Sequence, residues 1–168
     1  LYQWITRDIK CNETYARPNK RSYSYGIYLP SPVRENLNIA VTVDTSGSIS
    51  DEEYTLFLSE ITGIAHAFEQ INMDLLYWDT EVNNVVKITR GNRNDISTLP
   101  STGGGGTTIG CLSDYYEGKQ PPQLMVHLTD GWVEEDPILP LTKHLFVICK
   151  GGKDDILKDH GILTHLGA

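Results

Sequence analysis

The strongest hydrophobic pattern in the chain runs from Tyr54 to Phe68. Tyr54, Phe57, Leu58, Ile61, Ile64, Ala65 and Phe68 recur at helical spacing, one apolar stripe on an amphipathic helix. Ser50 with Glu53 three residues on forms a capping box, so the helix is expected from about Asp51 to Gln70. Before it, residues 37–43 are mostly apolar and β-branched, the pattern of a strand buried on both faces. Residues 71–78 read as a second strand, 124–128 as another buried strand and 145–149 as a further one. Asp79-Thr80-Glu81 reads as a hairpin turn into an antiparallel edge strand over 82–88. Residues 91–102 read as irregular, 109–116 as a short helix, 154–160 as a last helix, and the tail as a further edge strand. Strands alternating with helical segments predict an α/β fold: a compact, Rossmann-like, mostly parallel sheet with one antiparallel edge strand and helices on both faces.

Residues 1–36 differ in kind. They are rich in Tyr, Arg and Pro, and carry six basic against three acidic groups, a net +3. The rest carries eight basic and nineteen acidic groups, a net −11, within an overall −8. The expected organisation is a basic arm, or the end of an upstream domain, over 1–36 and an α/β domain over 37–168. A chain that begins on Leu is expected to be a piece or a processed product. No apolar run approaches the ~18 residues of a membrane span. A domain at −11 repels phosphate backbones, which argues against nucleic acid as its partner. Tyr15, Tyr23, Tyr25 and Tyr28 among the arm's basic groups suit packing on an acidic surface better than binding single strands. Cys11, Cys111 and Cys149 are odd in number and lack C-x-x-C spacing. They read as reduced thiols of a cytoplasmic protein, Cys149 as a small core residue.

The candidate chemistry lies in three loops. Asp44, Ser46 and Ser48 follow the first strand, Thr107 closes a run of four glycines, and Asp130 ends a later apolar strand. Loops leaving the carboxyl ends of neighbouring parallel strands meet at a switch point. Two carboxylates and three hydroxyls are hard oxygen donors, suited to Mg²⁺, or to Mn²⁺ or Ca²⁺, rather than zinc. Alternate side chains of D-x-S-x-S face one way in an extended turn, and two carboxylates balance the charge of one cation. Asp79, Thr108, Gly131 and Trp132 stand beside these positions. Asp79 reads either as a turn former or as a support to the site, and Trp132 either as an exposed rim contact or as a buried lid.

Asp44-Thr45-Ser46-Gly47-Ser48, Thr107 and Asp130-Gly131 resemble the metal-ion-dependent adhesion site of von Willebrand factor A (VWA) domains. The likeness spans residues 37–150. Arg17-Pro18-Asn19-Lys20-Arg21, Leu29-Pro30-Ser31, Ser59-Glu60-Ile61 and the glycine run extend it to the C-terminal VWA-like domain of predicted bacterial and phage metal-dependent peptidases. The resemblance implies a non-enzymatic module that binds a partner's Asp or Glu through the cation. It also implies an upstream peptidase-like domain, and as a partner an AAA ATPase of the MoxR class. This chain has no H-E-x-x-H; His66-Ala67-Phe68-Glu69-Gln70 lacks the second His. The alternative function is metal-assisted hydrolysis of phosphate esters, which needs a general base near the cation. None of the five histidines stands at a spacing that marks one. The stretch between Asp44 and Asp130 is short for a VWA domain, so the fold is expected to lack a helix or strand there.

Overall fold

The structure is a computed structural model. It describes Ile5, residues 13–14, 31–32, 37–68, 71–100 and 103–166. The chain divides into two compact units, Leu1–Asn36 and Leu37–Ala168. In the first, Glu13–Thr14 pairs antiparallel with Ser31–Pro32. The expected arm strand over 22–29 lies outside the described residues.

The second unit is a six-stranded sheet. Its strands are β1 (Leu37–Asp44), β2 (Ile71–Trp78), β3 (Val82–Ile88), β4 (Leu124–Thr129), β5 (Lys143–Ile148) and β6 (Ile162–His165). Their order across the sheet is β3-β2-β1-β4-β5-β6. Every pairing is parallel except the β2–β3 hairpin. β1 is thus flanked by β2 on one side and β4 on the other, and the chain winds away from it in both directions. That reversal places the carboxyl end of β1 at the switch point.

Burial follows the pleat. Ile39, Val41 and Val43 face one side of β1, and Ala40, Thr42 and Asp44 the other; all are buried. Helix α1 (Asp51–Ala67) lies on the first side, where its Tyr54 reaches Tyr77 and its Glu53 reaches Cys149. Its N-terminus has the expected capping box, with the Glu53 amide donating to Ser50 Oγ at 3.3 Å and the Ser50 amide to Glu53 Oε2 at 2.9 Å. The helix stops three residues short of the expected Gln70, because Phe68 is already extended. On the opposite side, Ala40, Leu76, Trp78, Met125, Phe146 and Ile148 pack with Ile109, Cys111, Leu112 and Leu157. Cys111 and Leu112 open the one-and-a-half-turn helix α2 (Cys111–Tyr116). The expected helix over 154–160 is only a 3₁₀ turn, Leu157–Asp159. Leu157 is its one buried side chain, too little apolar surface to hold a longer helix on the sheet. Its tail does add the expected edge strand, β6. The irregular stretch after β3 holds a 3₁₀ turn, Arg93–Thr98.

A buried hydrogen-bond chain crosses the α2 side of the sheet. Pro140 O can only accept, so His144 Nε2 donates to it at 2.9 Å. His144 Nδ1 then accepts from His127 Nε2 at 2.8 Å, and His127 Nδ1 accepts from the Thr42 hydroxyl at 2.8 Å. These directions belong to neutral rings, the state that burial favours. Burial pushes His127 well below the usual histidine range, helped by His144, and burial likewise lowers His144.

Candidate metal centre

The first loop leaves β1 as a turn built by Asp44 itself. Asp44 is fully buried, and its Oδ1 accepts from the Ser46 amide at 2.9 Å. The turn brings the Ser46 and Ser48 hydroxyls within 3.1 Å of each other, as alternation along the turn predicts. Ser46 is buried and Ser48 is exposed, so the pair spans the wall and mouth of one site.

The loop ending β4 reaches the same place through register. Val43 pairs with Leu128, so Asp44 and Thr129 stand side by side on one face. Thr129 Oγ1 donates to Asp44 Oδ2 at 2.6 Å and accepts from the Gly131 amide at 3.0 Å. Thr129 was not among the expected site residues. Its partner lies 85 positions away in sequence, and only the strand register could have pointed to it. Asp130 is buried, accepts from the Trp132 amide at 3.1 Å, and is close enough to raise the Asp44 pKa through charge.

The glycine run closes the site from the third side. The Gly47 amide donates to Gly105 O at 3.2 Å, which ties the D-x-S-x-S turn to the loop that carries Thr107. Asp79 builds the turn and also reaches the glycine run. Its Oδ1 accepts from the Thr80 and Glu81 amides, forming the turn. Its Oδ2 accepts from the Gly105 amide at 3.2 Å, and its carbonyl from the Thr108 amide at 2.8 Å. A Cβ at Gly105 would lie 3.0 Å from Asp79 Oδ2, so glycine permits that approach. Glu134 holds the far end of the same loop, its carboxylate accepting from the Ile109 and Gly110 amides at 2.9 and 2.7 Å. Glu134 was also missed; a Glu in a polar loop gives no local sign of a partner 24 residues away.

Electrostatics separates the carboxylates. Burial pushes the Asp44 carboxyl up, against the hydrogen bonds of Thr129 and Ser46. At Asp79 burial also pushes upward, but the bonds from Asn83, Thr80, Glu81 and Gly105 outweigh it and hold the carboxyl below its usual range. Asp44 and Asp79 are thus shifted in opposite directions. By type the donor set would fit a hard divalent ion: Asp44 and Asp130 would supply charge, and Ser46, Ser48 and Thr107 neutral oxygen. Among the described residues no three His, Cys, Asp or Glu side chains gather as a metal cluster, so a cation here would depend on hydroxyl donors. Trp132 is 56% exposed, so it is not the buried lid of the second reading; Thr108 is exposed and Gly131 is buried. Cys111 and Cys149 are free and buried, each thiol pushed up to about 12 by burial. No described helix is long and apolar enough to cross a membrane.

The chain is similar to known proteins at the levels of sequence, structure and family. An uncharacterized protein of Thermotoga maritima is 32% identical over 149 residues, covering 87% of this chain and 34% of the relative. The chain thus spans about a third of the length of the curated relative it matches. A solved structure, an aerotolerance-related membrane protein from Bacteroides fragilis, aligns at TM-score 0.48 with 14% identity over 66% of each chain. Residues 39–159 match the model of the VWA-like domain family DUF2201, and the chain belongs to that family.

Proposed function

We propose that the domain is a divalent-cation-dependent protein-recognition module whose cation, held by Asp44, Ser46, Ser48, Thr107 and Asp130, takes a carboxylate from a partner. The observation that carries this reading is the mutual tethering of three oxygen-bearing loops: Thr129 to Asp44 at 2.6 Å and Gly47 to Gly105 at 3.2 Å. Mg²⁺ is the expected ion, with Mn²⁺ as its experimental stand-in. Two carboxylates leave the pair neutral overall, and three hydroxyls add no charge, so the ion stays electrophilic toward an outside acid. Two charged ligands also make a sparse cage, so affinity for the ion alone is weak. At tenfold excess over the dissociation constant the ion adds about 1.4 kcal/mol of stability. The reading is of a binding module rather than an enzyme. Both ring nitrogens of His127 and of His144 are engaged, so neither supplies the base that phosphate-ester hydrolysis would need. The family resemblance makes an AAA ATPase of the MoxR class the first partner to test, and an upstream peptidase-like domain the first context.

The test uses two blocked tetrapeptides, Gly-Asp-Gly-Gly and Gly-Asn-Gly-Gly, followed by ¹⁵N NMR of the domain. The Asp peptide should shift the amides of 46–48, 107–108 and 130–132 in Mg²⁺ and not in EDTA, and the Asn peptide should be silent. Equal shifts in EDTA, or none in Mg²⁺, would overturn the reading.

A further inference from the structure

Beside Asp130 and Trp132 stands a cation that has no acid paired with it among the described residues. Lys153 is exposed, and its ammonium lies 4.4 Å from the centre of the Trp132 ring. Among the described residues it makes no ion pair, in a domain where acids outnumber bases nineteen to eight. Its two acidic neighbours face elsewhere: Asp154 pairs with His165 at 3.6 Å and Asp155 with Lys158 at 3.9 Å.

Both members of this pair are bolted to Asp130. The Trp132 amide donates to Asp130 Oδ1 at 3.1 Å, and the Lys153 amide donates to Asp130 O at 2.8 Å. Between them Gly131 takes φ +78°, and a Cβ there would fall 1.7 Å from Lys153 O. The backbones of Trp132 and Lys153 are therefore both anchored at the candidate ligand Asp130. An exposed indole gives a partner side chain an apolar wall, and an ammonium resting on it is held ready for an anion.

We infer that Trp132 and Lys153 form a second, anion-reading subsite beside the cation, which selects a partner segment carrying a second carboxylate next to the one bound at Asp44 and Asp130. The inference rests on the recognition reading above and narrows it from any acidic residue to an acidic pair.

Three blocked peptides of sequence Gly-Asp-X-Gly, with X as Glu, Gly or Lys, separate the possibilities when titrated in Mg²⁺. The wild-type domain should bind X = Glu about three- to fivefold more tightly than X = Gly, the scale of one exposed ion pair, and X = Lys least. Lys153→Met should abolish that preference while leaving X = Gly binding and Mn²⁺ affinity within about twofold. Lys153→Glu should reverse the ranking toward X = Lys. The same ranking in wild type and Lys153→Met, or preference of the wild type for X = Lys, would overturn the inference alone. Absence of Mg²⁺-dependent binding by any of the three would overturn the recognition reading, and this inference with it.

Discussion

The Thr129 hydroxyl donates to Asp44 Oδ2 at 2.6 Å inside a site where Asp44 is wholly shielded from solvent. That bond joins the ends of two adjacent parallel strands and keeps a buried carboxylate from standing alone. Thr129→Val removes the hydroxyl while nearly preserving shape. It should cost about 1–3 kcal/mol of stability, read by urea unfolding, and should weaken Mn²⁺ binding, whereas Thr129→Ser should retain most of both.

Glu134 acts on the same site from the opposite side, by holding the Ile109 and Gly110 amides. Glu134→Ala leaves those two donors without their acceptor. A loss of about 1–3 kcal/mol is expected, together with a fall in Mn²⁺ affinity, although residue 134 is not among the proposed ligands. Isothermal titration with Mn²⁺ checks the second effect; unchanged affinity would remove Glu134 from the support of the site.

Glycines at two positions should respond in opposite directions. Gly63 is exposed within α1 and has nothing within 4 Å of an added Cβ. Gly63→Ala should therefore stabilise the domain by about 0.5–1 kcal/mol. At Gly131 the positive φ and the close Lys153 carbonyl forbid a side chain, and Gly131→Ala should destabilise by more than about 2 kcal/mol. Thermal melts of both variants make the comparison.

The buried chain from Thr42 through His127 and His144 to Pro140 fixes a pH dependence. Both histidines titrate below their unfolded value, so below about pH 6.5 the unfolded chain binds more protons than the fold. Their contribution is intact above that pH and is lost as pH falls toward their depressed values. Each pH unit below 6.5 costs up to about 1.4 kcal/mol per histidine while the ring stays neutral in the fold. Two-bond ¹H–¹⁵N spectra should show both as Nε2–H tautomers at pH 8, above the unfolded histidine range; an Nδ1–H tautomer of either ring would contradict the hydrogen-bond directions.

Much of this architecture could be read from local pattern. Residues 37–44 and 51–67 announce a strand and a capped helix because their periodicities are long and unbroken. The hairpin was legible from its turn residues, Asp79-Thr80-Glu81, and the tail was expected to add an edge strand without defined bounds. The stop at Phe68 was not, since Phe68 keeps the apolar spacing of the helix while its backbone is already extended. The last helix failed because one buried side chain, Leu157, cannot hold more than a turn. Around the site, the residues with oxygen chemistry were visible by type and order. Thr129 and Glu134 were not, because their roles come from partners brought near only by parallel register and loop closure.

A crystal soaked in Mn²⁺ tests most directly whether one cation is held among the five oxygen donors. The expected result is a single strong anomalous peak bounded by Asp44, Ser46, Ser48, Thr107 and Asp130, lost in Asp130→Ala. No peak there, or a Thr107 or Asp130 side chain more than about 10 Å from Asp44 and so beyond shared coordination, would contradict it.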